Sequence, residues 1–595
     1  MTSSADLMAS AVKEYQAGKF DQAEDLCRQV LKIEEECFDA LQILGLVYHA
    51  LGKRQSAVEM LRAALRTQPM RGDVHFNLAK VLQEQGDLAG SEASYRQALI
   101  CTPTLAEAHY NLARLLHDLG RGDEAVTCYR QAIRIRPDYP KALTNLGNFL
   151  LEQKQVPEAV AAFDQVVRLQ PESGSAHSNL ANALRVQERF EDALHHARRA
   201  VALSPSDATA HNNLGAAYHR LGQWQQALDS FDEAIRLQAD NASARMNRAQ
   251  LLLLCGDFAR GWPEYEWRNT PDSSRFTVPR WDGSPLGGRR ILLHAEQGLG
   301  DTLQMVRYVP LVEARGGQVI LECQPRLRAF LCSSRGIGQV VAKGESVPPF
   351  DVHAPLLSLP MIFATEFATV PCKVPYLEAA PDQVKDWHQR LQSIQGFKIG
   401  IAWQGNPQYL HDGLRSVPLH HFFPLANIPG VRLVSLHKGP GLEQLQMFGN
   451  DLIVDLAERL DESAGPFVDT AAVIKNVDLV IASDSAVAHL AGALAAPVWL
   501  LLPFVPDWRW LLEREDSPWY PTLRVFRQAR AGDWNEVFRR VVRELRTYLG
   551  LPSICMTIEI PPGELVDRIA ILEIKREHMR DEAKQRILDK ELGRL

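Results

Sequence analysis

Apolar and polar positions follow two different rhythms along this chain. Up to about residue 256 the pattern is helical and repeats itself. Gly18, Gly52, Gly86, Gly120, Gly222 and Gly256 stand on one 34-residue ladder, with Lys154 and Glu188 on its two intervening rungs. Pro69, Pro103, Pro137, Pro171 and Pro205 form a second ladder with the same step, and Ala23, Ala57, Ala125, Ala159, Ala193 and Ala227 a third. Each unit reads as a helical hairpin: the Gly turns the chain, the Ala admits close approach, and the Pro ends the second helix. Seven units cover about 4–241, and an eighth helical pair is expected near 242–270. Past Gly256 the period stops in an aromatic-rich stretch, Asp257 to Arg268, and turn residues from Pro271 to Pro285 mark a linker. From Arg290 short apolar runs alternate with helical stretches, which predicts βαβ units and a parallel sheet. Strands are expected at 291–294, 319–322, 398–403, 432–436, 478–482 and 498–502, and helices at 468–475 and 485–494.

Length and charge narrow this picture. At 595 residues the chain exceeds a single core. A net charge of −7 from 65 basic and 72 acidic residues argues against a dedicated nucleic-acid binder, which needs a basic face. No run of 18 apolar residues occurs and Met1 to Lys19 is polar, so neither a transmembrane segment nor a signal peptide is expected. Nine cysteines without a CxxC pair fit a reduced, cytoplasmic setting, and no metal site is expected.

The 34-residue period resembles the tetratricopeptide repeat, whose solenoid offers a concave surface to partners. Asn77, Asn111, Asn145, Asn179, Asn213 and Asn247 also recur at 34 residues. An Asn side chain carries one acceptor and two donors, so a row of them suits gripping an extended peptide backbone; equally, Asn is a common residue at this place in such repeats. The row looks like the asparagine ladder of eukaryotic O-GlcNAc transferase, and that resemblance implies an acceptor protein held along the repeats.

In the second half the motifs follow strands, where open α/β sheets bind ligands. Gln297-Gly-Leu-Gly-Asp-Thr302 joins a strand to a helix: Gly298 and Gly300 let backbone approach a ligand, and Asp301 is a candidate base or a plain helix cap. Ser483-Asp-Ser-Ala-Val-Ala-His-Leu-Ala-Gly492 places Asp484 and Ser485 at a helix start suited to a diphosphate. His489 lies four residues after Ser485, as a ligand-facing group or a satisfied core histidine. Trp403, Gln404, Asn406 and Arg415 follow the 398–403 strand and Lys438 follows 432–436; Arg415 and Lys438 are candidate partners for a departing diphosphate or ordinary surface charges. Trp508, Trp510 and Trp519 can stack on a sugar or base, or pack one domain on another.

The Gly-Asp loop and the Asp-Ser-x-x-x-His-Leu-Ala motif resemble glycosyltransferase family 9, the heptosyltransferases; the second match runs from Asp469 to Ala495. That resemblance implies an α-solenoid followed by a GT-B domain of two Rossmann-like halves. Its boundaries are 4–270 for the repeats, 271–289 for a linker, 290–370 and 398–550 for the halves, 371–397 for their connection and 551–595 for a tail of unassigned role. It implies an inverting transferase with a nucleotide diphosphate sugar as donor, no cofactor, Asp301 as general base, and a protein Ser or Thr as acceptor. No Asp-x-Asp occurs, which fits a mechanism without metal. Two alternatives stand beside it: a scaffold whose GT-B part is degenerate, and a transferase acting on a glycan or lipid-linked acceptor.

Overall fold

The computed structural model describes residues 3–552 other than 269–274, 335–336, 410, 447–451, 458 and 463–464. Part of the expected linker and nearly all of the 551–595 tail therefore lie outside the described residues.

Sixteen helices in eight antiparallel pairs fill Ser4–Tyr265, from Ser4–Gln16 with Phe20–Ile33 to Ala242–Leu254 with Phe258–Tyr265. The glycine ladder turns each pair in the left-handed region, with φ from 71° to 86°. Lys154 and Glu188 adopt the same conformation at φ 59° and 65°, where a Cβ is strained by about 1 kcal/mol. A further ladder, not read from the sequence, ties four of the hairpins to the preceding turn. The Nε2–H groups of His75, His109, His177 and His211 donate to the carbonyls of Pro69, Pro103, Pro171 and Pro205 at 2.9–3.1 Å. Small residues set the spacing within a pair: a Cβ on Gly147 would lie 2.7 Å from the buried Phe163 ring.

The C-terminal region holds two parallel sheets. The first has four strands, β1 (Arg290–His294), β2 (Gln318–Cys323), β3 (Gln339–Ala342) and β4 (Val352–Pro355), in the order β3-β2-β1-β4. The second has six: β5 (Phe397–Ala402), β6 (Val431–Ser435), β7 (Ile453–Val454), β8 (Leu479–Ser483), β9 (Val498–Leu502) and β10 (Leu523–Arg527), in the order β10-β9-β8-β5-β6-β7. Strands β3, β4, β7 and β10 were not read from the sequence: β3, β4 and β7 are only two to four residues long, and in β10 the arginines of Leu523-Arg-Val-Phe-Arg527 break up the apolar run. The 371–397 connection contains a helix, Pro381–Leu391, whose Trp387 donates to Asp469 Oδ1 at 2.8 Å. Within the expected linker, Trp281 is buried and its backbone N–H donates to the His353 carbonyl, so this stretch is packed onto β4. No helix among the described residues is long and apolar enough to cross a membrane.

The repeats and the sheets share one core. Phe258, Trp262 and Tyr265 of the last hairpin pack against Trp508 and Trp519 from the loop after β9. Trp262 Nε1–H also donates to the Thr365 carbonyl at 2.9 Å. Of the two readings of the late tryptophans, packing is what the structure contains: Trp508, Trp510 and Trp519 are at most 3% exposed.

Replacing Gly147 by Ala forces its methyl into the Phe163 ring, and a core this dense does not yield freely. Gly147→Ala is expected to cost about 1–3 kcal/mol, read as a lower urea midpoint for the repeat helices by circular dichroism.

Candidate functional site

The site forms where the loop after β1 meets the loop after β8. Gly298, at φ −71° and ψ 169°, starts the helix Leu299–Met305. Asp301 closes a cap on it, its Oδ2 accepting the Gly298 N–H at 2.6 Å. The loop is held from the side by Gln324, which donates to the Gln297 carbonyl at 2.7 Å and accepts from Thr302 Oγ1 at 2.9 Å. This helix packs on Ala486–Ala493, the helix after β8. The approach is close: a Cβ on Gly300 would lie 2.7 Å from His489 Cδ2. Gly300 is therefore a packing requirement of the cleft.

Arg509, 5% exposed on the loop after β9, is the centre of the charges. It pairs with Asp301 Oδ1, with Asp507 at 2.8 Å and with Gln304 Oε1 at 2.6 Å. Asp301 thus caps its own helix and ties the first sheet's helix to the second sheet's loop. Each oxygen has one donor, so up to about two of the roughly four lone-pair sites on the carboxylate are uncommitted. A second buried cation, Arg307, spans the same cleft, donating to the Trp519 carbonyl at 2.6 Å and to Tyr376 Oη at 2.9 Å.

Asp484, at the end of β8, is 8% exposed. Burial, reinforced by the Asp507 charge and opposed by Arg415, raises its pKa to about 6. Ser485 occupies the N-cap of Ala486–Ala493 without its side chain bonding the helix. The Oγ atoms of Ser483 and Ser485 are both buried without a partner among the described residues. His489 is 5% exposed; its Nδ1 lies 2.9 Å from Tyr520 Oη and its ring stacks on Trp510. Burial, then Arg509, Arg307 and Arg415, drives its pKa well below the imidazole range, so the ring is neutral.

The other candidates divide. Arg415 stays near the site, its Nε on buried Asp412 at 3.0 Å and its guanidinium over the Tyr409 ring, while Ser416 Oγ donates to the same Asp412 at 2.9 Å. Gln404 accepts from Gln444, and Asn406 Oδ1 accepts the Gln408 N–H in a local turn. Trp403 is fully buried, stacked on His437 at 4.4 Å, and so supports the loop from beneath. Lys438 pairs with Glu462 at 2.6 Å on a separate loop. The ladder asparagines are all half-buried. Asn145, Asn213 and Asn247 donate to Tyr110, Ser178 and Asn212 of the preceding repeat, while Asn77, Asn111 and Asn179 have no hydrogen bond among the described residues. Sequence reading missed Arg509, Arg307 and Tyr520; for Arg509 and Tyr520 the signal present was the density of Trp, Arg and Tyr between 507 and 520.

The protein is a helical-repeat solenoid joined to an α/β region of parallel sheets. The repeats are tetratricopeptide repeats: models described as "TPR repeat" and "Tetratricopeptide repeat" match 113–154, 141–170, 44–106, 178–242 and 217–265. The chain is 32% identical over 328 residues to "Protein FlbA" of Caulobacter vibrioides, a match covering 51% of this chain and 54% of the relative. It thus spans about half the length of that curated relative. Among solved structures, it is similar to Pseudomonas aeruginosa PilF at 23% identity and TM-score 0.32, over 36% of this chain and 98% of that one. It is also similar to YrrB, titled "a TPR protein with an unusual peptide-binding site", at 22% identity and TM-score 0.29, over 31% and 96%.

Asp484 gives the site a pH signature. Its folded pKa lies above the unfolded value of 3.8, so the native state binds the extra proton between pH 4 and 6 and loses stability as pH rises through that window. Asp484→Asn is expected to raise the melting temperature at pH 7.5 but not at pH 4. The gain, on the order of 1–3 kcal/mol, is checked by scanning calorimetry across pH.

Proposed function

We propose that the chain is an inverting glycosyltransferase of GT-B type, using a nucleotide diphosphate sugar and acting on a protein hydroxyl presented by the repeats. One observation carries the reading. The Gly298–Asp301 loop and the 483–489 segment meet at the carboxyl ends of β1 and β8, in two separate parallel sheets. Unpartnered Ser483 and Ser485 hydroxyls and the free N–H groups of the following helix supply donors for a diphosphate there. Arg415 adds a cation on the side of β5.

In this reading the acceptor oxygen attacks the anomeric carbon while the bond from that carbon to the diphosphate breaks. The hydroxyl proton passes to Asp301, which keeps lone pairs beyond its bonds to Gly298 and Arg509, and the nucleoside diphosphate leaves with the bonding electrons. Arg509 holds the carboxylate in place, and the helix start and Arg415 stabilise the charge growing on the leaving group. Asp484, with a pKa near neutrality, is the second candidate for the proton and the better matched by acidity alone. The scaffold reading is favoured by a different fact: both Asp301 oxygens already serve structural partners.

Two measurements separate these readings. A nucleoside diphosphate at 100 times its dissociation constant should stabilise the sheets by about 2.7 kcal/mol, visible as a thermal shift that Arg415→Gln diminishes. Silence toward UDP, GDP, ADP and CMP would favour the scaffold. In a transfer assay, Asp301→Asn is expected to lower the rate by about 100-fold or more while the nucleotide shift persists, as for loss of a general base. An unchanged rate, with Asp484→Asn inactive instead, moves the base to Asp484. Changing Asn77, Asn111 and Asn179 together to Ala is expected to raise the acceptor KM and leave donor binding alone; these three make no side-chain hydrogen bond among the described residues.

A further inference from the structure

Three consecutive repeat turns face the second sheet's loops. Lys154 Nζ donates to the Gln408 carbonyl and Oε1, both at 3.1 Å. Glu188 Oε1 lies 3.9 Å from where Gly413 would carry a Cβ, and a Cβ on Gly222 would meet the Phe504 ring at 3.1 Å. Immediately beside these turns, Arg185, His219 and Arg220 of the repeats approach His411 of the loop after β5.

This group is positive and poorly paired. Arg185 donates Nη2 to Asn182 at 2.9 Å, but its Nε is buried without a partner. Arg220 makes no hydrogen bond or ion pair among the described residues. His411 is 8% exposed, with Nδ1 buried and unpartnered. Burial and mutual repulsion lower the pKa of Arg185 to about 10 and hold His219 and His411 near 3, so both rings are neutral donors beside two guanidinium charges. Glu188 is the one carboxylate among the groups acting on Arg220. A position in the last turn of a helix favours a cation, which explains part of the choice of Arg. It does not explain why two of them, both half-buried, stand together beside a buried, unpaired imidazole nitrogen between the repeats and the loop. Half-buried cations beside buried, unpartnered donors of this kind are stabilised by an anion.

We propose that Arg185, Arg220 and His411 form a phosphate-binding seam, so that the repeats contribute directly to the pocket receiving a diphosphate. Tyr409 connects it to the site: the ring carries the Arg415 guanidinium at 4.6 Å and lies within the electrostatic reach of Arg220 and Asp484 alike. The guanidinium forks suit phosphate oxygens, and the neutral imidazoles add N–H donors without adding charge. The seam deepens the transferase reading and rests on it for the identity of its ligand. The same chemistry accepts the diphosphate of a nucleotide or free inorganic pyrophosphate.

The test is calorimetric titration of the full chain with inorganic pyrophosphate. Wild-type protein is expected to bind, and Arg185→Gln and Arg220→Gln each to bind about tenfold more weakly or worse, as for one lost charge-assisted contact. Lys141→Gln, an exposed charge on the repeats, controls for net charge. Removing one of two repelling cations relieves the cluster, so the variants are expected to melt no lower than wild type. Displacement of pyrophosphate by UDP or GDP assigns the seam to the nucleotide; binding without displacement assigns it to inorganic phosphate. Unchanged affinity in both variants, or no binding to the folded wild type at millimolar pyrophosphate, overturns the proposal. Transfer is not read here, so an inactive enzyme that binds pyrophosphate through Arg220 sinks only the transferase reading. An active one indifferent to Arg185 and Arg220 sinks only the seam.

Discussion

A guanidinium taken out of water must be met by acceptors on every side, and Arg509 is such a group, 5% exposed with Asp301, Asp507 and Gln304 around it. Asp301 and Gln304 come from the helix after β1, whereas Arg509 and Asp507 come from the loop after β9. Satisfying one buried charge therefore fixes how the two sheets present their carboxyl ends to each other. Arg307 repeats the device in the opposite direction, from the first sheet's helix to the Trp519 carbonyl and the Tyr376 hydroxyl. With these ties made, the helices approach until Gly300 touches His489, a distance that admits no side chain. The cleft chemistry inherits its properties from that closure: Asp484 is desolvated and hard to ionise, and His489 is held neutral.

The repeats are built into this arrangement. Their last hairpin supplies Phe258, Trp262 and Tyr265 to the core that also holds Trp508 and Trp519, so the loop carrying Arg509 is braced by the solenoid. Their turns meet the loop after β5. The two rungs without glycine, Lys154 and Glu188, are those turned toward Gln408 and Gly413. A side chain that accepts a left-handed backbone at a cost of about 1 kcal/mol is repaid in position, since it reaches from the turn to the neighbouring loop.

Much of the solenoid was legible in advance because its determinants are local. A glycine where φ must be positive, a small residue where helices touch and a proline where a helix ends recur every 34 residues, and the hairpins follow. The longer buried strands were legible for a related reason: Val498-Trp-Leu-Leu-Leu502 is apolar on both faces, as a central parallel strand must be. Two-residue β7 carried too few residues to show a period, and the arginines of β10 interrupt its apolar run. Among site residues, the glycines, Asp301, Asp484 and His489 announced themselves by following strands, while Arg509 was hidden among aromatics that drew attention as packing.

The sequence by itself determined the repeat, the parallel character of the second region and the short list of chemically able side chains, because each depends on neighbours within a turn or two of chain. Only the tertiary structure decided which of those side chains meet. Asp301 and Arg509 are 208 residues apart, and Lys154 and Gln408 254 apart. No periodicity spans such separations, and the desolvation that raises Asp484 and leaves Arg220 unpaired exists only once repeats and sheets have closed around them.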